Sequence, residues 1–141
     1  MINHNLYFQI EITARKIRHF GQSILNKYQL DITIEQWLVL KTILENEGVS
    51  QLRIGELLLK DKPTISRMIK HLVNCGYIKK ENDALDLRKY SINLTDKGHE
   101  LMDKLLPIIE NIRLQGLNSI TESEQTSLNN ILLKIQNNIA K

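Results

Sequence analysis

The sequence has one cysteine among its 141 residues, so an internal disulfide framework is excluded and a reducing, cytoplasmic setting is expected. It has no basic-then-apolar leader and no apolar run long enough to cross a bilayer, which predicts a soluble chain without membrane contact. There is no glycine-rich phosphate loop, no nucleophile elbow and no recognisable acid–base pair, so an enzyme finds no support. His4, His19, His71 and His99 lack paired-ligand spacing, and neither a metal nor a cofactor is expected. Strong charge of one sign is missing as well, the net charge being +3. Against these absences stands a 42% apolar content, enough to bury the core of one domain.

The small positive excess is unevenly placed. Between Ser50 and Leu94 nine Lys and Arg side chains face five Asp and Glu, and the rest of the chain is slightly acidic. Inside that segment Asp61 through Gly76 reads as a short, sharply bounded helix. Asp61 suits the N-cap, Pro63 the first turn and Gly76 the left-handed closing residue. Ile65, Met68, Ile69, Leu72 and Val73 recur at helical spacing and predict one buried stripe. The opposite face carries Lys62, Thr64, Ser66, Arg67, Lys70, His71 and Asn74, donors and cations with almost no acid among them. An apolar back and a donor-rich front suit a helix that reads a DNA major groove. An ordinary amphipathic surface helix has the same pattern, and this segment alone leaves both readings open.

The flanking segments give that helix a setting. Leu6, Ile10, Ile17, Phe20, Ile24 and Tyr28 mark a long first helix, in which Gly21 is a weak point. Thr33 and Gln36 have capping-box spacing and open a second helix through Trp37, Leu38, Leu40, Ile43 and Leu44, ended by Asn46-Glu47-Gly48. Leu52, Ile54, Leu57 and Leu58 form a compact third helix running to about Lys60, so that it and the Asp61 helix make a helix-turn-helix. After Gly76, Tyr77-Ile78-Lys79-Lys80 and Tyr90-Ser91-Ile92-Asn93-Leu94 are short β-type runs joined by the polar stretch 81–89, a hairpin wing. Thr95 caps a helix to roughly Leu117, bent or loosened at Pro107. Thr121 and Glu124 make a capping box for a last helix striped by Leu128, Ile131, Leu132, Ile135 and Ile139. Three apolar stripes lie outside the winged part. Burial against a second copy is the favoured solution, with packing inside one chain as its rival.

Several blocks together resemble the MarR family of winged helix-turn-helix transcription regulators. They are Ile34-Glu35-Gln36-Trp37-Leu38-Val39-Leu40, Ile54-Gly55-Glu56-Leu57-Leu58 and Asp61-Lys62-Pro63-Thr64-Ile65-Ser66-Arg67. Leu72 through Gly76-Tyr77-Ile78, Asp86-Leu87-Arg88 and Ile92-Asn93-Leu94-Thr95-Asp96-Lys97-Gly98 follow in the family's order. The resemblance implies a mainly α fold with a small β-hairpin wing. A single domain would span 1–141, with the winged helix-turn-helix at about 33–98 and dimerisation helices at about 5–28 and 96–140. It implies a homodimer, a repressor in the family's usual sense, bound to a pseudo-palindromic double-stranded DNA operator and released by a small-molecule effector or other signal. Position by position, Thr64, Ser66, Arg67 and Lys70 would meet base edges or phosphates, with Lys62 and His71 beside them. Arg88, followed by Lys89, would enter the minor groove from the wing, with Asp86 orienting its guanidinium. Leu59-Lys60 stand where the family often has glycine and an apolar residue, and Lys79-Lys80 replace a common arginine.

Weaker readings remain. His19, Tyr28 and Trp37 could line an effector pocket, although Trp37 is the expected core residue of the three. Cys75 is expected to be an inert thiol, not a redox switch. The rival to DNA recognition is a winged-helix protein–protein interaction module that uses the same basic face on an acidic partner.

Overall fold

The computed structural model describes residues 5–86 and 90–140. Six helices and one hairpin follow in order: α1 (Leu6–Lys27), α2 (Ile34–Glu45), α3 (Gln51–Leu58), α4 (Lys62–Asn74), β1 (Ile78–Asn82), β2 (Tyr90–Leu94), α5 (Asp96–Gly116) and α6 (Glu122–Ile139). The helices start where side-chain acceptors can satisfy otherwise unpaired backbone N–H groups. Asn5, Thr33, Ser50, Asp61, Thr95 and Thr121 are the N-caps. Thr33–Gln36 and Thr121–Glu124 form both halves of the expected capping boxes.

The core lies where α2, α3 and α4 close on the base of the hairpin and on α5. Leu40, Ile43, Ile54, Ile65, Ile69, Leu72, Ile78, Ile92 and Leu105 are all buried there. Each such aliphatic side chain stabilises the fold by roughly 1.5–3 kcal/mol relative to exposure, which fixes α4 through its back face. β1 and β2 pair antiparallel from Ile78 with Leu94 to Asn82 with Tyr90.

Several local expectations need correction. α3 ends at Leu58, not near Lys60, because Leu59 turns left-handed at φ 53° and projects 92% exposed into solvent. A glycine takes that backbone without strain; leucine does not. β1 runs on to Asn82 and so takes Glu81 and Asn82 out of the expected turn. Val49, expected as a plain connection, is buried and bridges to Ile92, adding a third short edge to the wing. Val73 is not part of the buried stripe. It lies at the edge of the α4 apolar face and is 37% exposed, while Ile65, Ile69 and Leu72 are closed off. Gly21 is no mere weak point, since α1 meets α2 there and a Cβ would stand 2.9 Å from Ile34 Cδ1.

The outer helices are less complete. α1 and α5 pack on each other and on α2, yet Leu6, Tyr7, Ile17 and Tyr28 of this side stay exposed, as do Leu106 and Leu114. α6 has the regular stripe foreseen and no buried residue at all. Pro107 sits inside α5, where it withholds one backbone donor. No helix among the described residues is long and apolar enough to cross a membrane.

Candidate nucleic-acid interface

The exposed face of α4 is set by how the helix is held at its two ends. At the start, Asp61 Oδ1 accepts the Thr64 amide at 2.8 Å, with Pro63 in the first turn. Hydrogen bonds from the Thr64 side chain and amide hold the Asp61 carboxyl below its usual value of 3.8, helped by nearby Arg67 and Lys60. At the other end Gly76, at φ +81°, lets the chain reverse: Tyr77 N–H bonds to Leu72 O at 3.1 Å and Gly76 N–H to Val73 O at 2.9 Å. Those two bonds define a Schellman closure.

This exit is then fastened to α5. The Thr95 hydroxyl donates to Gly76 O, its amide donates to Tyr77 O at 3.0 Å, and Lys97 Nζ donates to Cys75 O at 2.7 Å. A cation at the carbonyl end of α4 is favourably placed for the helix dipole. Gly98 passes so close to Tyr77 that a Cβ would fall on the Tyr77 carbonyl oxygen. α4 therefore moves with the first turn of α5.

Of the expected site residues on α4, Lys62, Ser66, Arg67, Lys70 and His71 are exposed along one side of the helix, and Thr64 is half-buried. Arg67 Nη2 lies 3.4 Å from Thr64 Oγ1, a long contact one turn away. No carboxylate interrupts this face from Lys62 to Cys75. Between α4 and the wing runs a groove of about 280 Å³ into which Ser66, Lys70, Asn74, Gln51 and Lys80 project. Gln51 and Lys80 are the residues that sequence reasoning passed over. Strand alternation could have found Lys80: it turns toward α4, whereas Lys79 lies on the opposite side, paired with Glu81 at 3.2 Å. Lys80 also stands over the Tyr90 ring at 4.8 Å. Gln51 gives no sequence signal beyond following the Ser50 cap.

Other expected residues are not brought to this face. Arg88 and Lys89 lie outside the described residues, and Asp86 is half-buried at the edge of the described wing. Trp37 packs against the core with Lys41 5.6 Å over its ring, while His19 and Tyr28 are exposed on and just after α1. Cys75 is half-buried, with Sγ 3.5 Å from His71 Nε2. Among the described residues no group of His, Cys, Asp and Glu is arranged to hold a metal.

The arrangement has known counterparts. The profile of the family described as Transcriptional regulator SarA/Rot matches residues 19–105. The HTH-type transcriptional regulator MgrA of Staphylococcus aureus is 26% identical over 135 residues, covering 95% of this chain and 89% of MgrA. Among solved structures, a MarR/EmrR family transcriptional regulator from Acinetobacter sp. ADP1 superposes with a TM-score of 0.89 at 26% identity, covering 99% of this chain and 97% of that one. The S. aureus MepR–DNA complex shares the fold, with a TM-score of 0.84 at 22% identity over 96% of this chain and 98% of that chain.

Proposed function

The chain belongs to the SarA/Rot family of transcriptional regulators, DNA-binding proteins with the MarR-type winged-helix fold, and from that premise we propose that it is a sequence-specific reader of duplex DNA acting as a homodimer. The observation that carries the reading is the exposed side of α4, cationic and donor-rich without a carboxylate, fixed by a buried back and by closures at both ends. In this reading Ser66, Arg67 and Lys70 meet base edges, Thr64 supports Arg67, and Lys62 and His71 contact phosphates. Arg88 and Lys89 extend the contact from the wing, with Asp86 orienting Arg88.

The dimer reading rests on α6 and its neighbours. A stripe of Leu128, Ile131, Leu132, Ile135 and Ile139 with no buried member is costly to leave in water. A second copy, contributing the same surface through two-fold symmetry, covers it and spaces two α4 helices for a pseudo-palindromic site. The proposed domain is thus one unit: a winged helix-turn-helix at about 33–98 between dimerisation helices at about 5–28 and 96–140. A repressor released by a small effector in the cytoplasm is the regulatory form of the proposal. The effector would act by favouring one spacing of the two α4 helices over another. The rival reading, a protein–protein module, gains no support from the family.

Selection of bound duplexes from a random pool, at two salt concentrations, tests the proposal. Enrichment of an inverted repeat with half-sites about one turn, roughly 34 Å, apart is the expected result. Enrichment of nothing, with binding lost at moderate salt, would reduce the face to a sequence-blind basic surface.

A further inference from the structure

One carboxylate joins three parts of the molecule. Glu35, in the first turn of α2, takes Arg18 Nε of α1 on Oε1 at 3.3 Å and Lys60 Nζ on Oε2 at 3.1 Å. Lys60 stands in the turn between α3 and α4, next to the Asp61 cap. With Lys62 it borders the groove of about 700 Å³ at the head of α4. Among the described residues Lys62 and Lys70 of the reading face make no ion pair. Lys60 is the neighbouring cation that does, and its partner belongs to a different element.

A lysine at that place, if free, would neutralise a phosphate and tighten binding to any duplex alike. Paired with Glu35, its charge is already balanced and its ammonium is drawn toward α2. The same pair anchors a turn whose Leu59 is already in a strained left-handed conformation. We propose that Glu35 is a specificity-determining residue: it withholds Lys60 from the DNA backbone and ties the turn before α4 to α1. The inference rests on the DNA-binding reading above and adds to it a residue that never touches DNA.

The test uses the full chain and its Glu35→Gln, Lys60→Gln and doubly substituted forms. Each is titrated with its selected operator and with a random duplex of equal length over a range of salt. Glu35→Gln is expected to tighten random-duplex binding about threefold and to steepen the dependence of log K on log salt by about 0.9, one further phosphate contact. The preference for operator over random duplex falls accordingly. Lys60→Gln alone should leave the random-duplex slope unchanged, and in its presence Glu35→Gln should no longer tighten binding. A merely structural Glu35 would weaken both duplexes together and lower the melting temperature, overturning the inference. An equal gain from Glu35→Gln with and without Lys60 would overturn it too, by marking a bulk charge effect. A flatter slope in Lys60→Gln alone would do the same, by showing that Lys60 already touches DNA. Absence of duplex binding by the unaltered chain would be recognised separately, because it removes the DNA-binding reading and this inference with it.

Discussion

In α4 the side chains of Ile65, Ile69 and Leu72 are each 1% exposed, whereas α6, whose apolar stripe is as regular, has no buried residue. The two helices start equally well, one on Asp61 and the other on the Thr121–Glu124 box. What separates them is tertiary. α4 is enclosed by α2, α3 and β1 and stapled to α5, while α6 finds no such enclosure within one chain. An amphipathic stripe therefore states only that a helix wants a partner, and the partner can lie in another molecule. The winged core is complete in one chain, and the outer helices, by the proposal above, are half of an interface.

The largest expected effect falls on the junction between these regions. Gly98→Ala drives a methyl group onto the Tyr77 carbonyl oxygen, a backbone atom that can yield only by moving α5 away from the exit of α4. A loss of about 3 kcal/mol in folding stability is expected, read by denaturant unfolding and unaffected by protein concentration. If Gly98→Ala melted like the unaltered protein, the close joint between core and α5 would be wrong.

The second effect should depend on concentration. Leu128→Glu with Ile131→Glu places charges on the open stripe of α6, where one protomer loses little packing. Sedimentation should show a monomer whose core still unfolds cooperatively, with operator affinity reduced about a hundredfold because two half-sites are no longer joined. Unchanged mass in solution would contradict the role given to α6. A smaller loss is expected within the reading face itself. Arg67→Ala should cost about 2 kcal/mol on the operator and much less on random duplex, leaving folding and mass untouched. Equal losses on both DNAs would make Arg67 a phosphate contact only.

These expectations also divide what could be read from the residue order from what could not. Thr33–Gln36, Asp61, Gly76 and Thr121–Glu124 were legible because caps and closures are settled by neighbours three or four residues away. The stripe of α4 was legible except at Val73, where burial depends on how far β1 and α3 wrap around it. Leu59 in a left-handed turn, Val49 bridged to Ile92, and Glu35 between Arg18 and Lys60 were not legible. The last two depend on residues distant in sequence, whereas Leu59 is turned by its own helix end, where Lys60 N–H bonds to Gly55 O at 3.0 Å, and a leucine gives no sign of such a turn. The donors of α4 were legible as one exposed side of a helix, but Gln51 and Lys80 enter the adjoining groove from other elements.

The smallest effect is a pH effect, and it compares the two caps. Asp61 and Glu124 are both held below their ordinary values, 3.8 and 4.5, by hydrogen bonds from Thr64 and Thr121 respectively. A depressed carboxyl favours the folded state above its unfolded value, and that contribution disappears as pH falls through the lower folded value. Asp61→Asn keeps a cap acceptor without a titrating group. It should flatten the decline of stability below about pH 4 and lower neutral-pH stability by the small contribution that the charged carboxyl makes there. Glu124→Gln should do the same for α6, read as dimerisation that weakens less in acid than that of the unaltered protein.

The most direct measurement of the whole account varies the spacing of the two half-sites in the selected operator. Inserting five base pairs places the second half-site on the opposite face of the duplex, about half a turn away. If the outer helices hold two α4 helices in one fixed frame, affinity should drop to that of a single half-site. Undiminished affinity for the displaced half-sites would show that the two α4 helices are not joined through α1, α5 and α6.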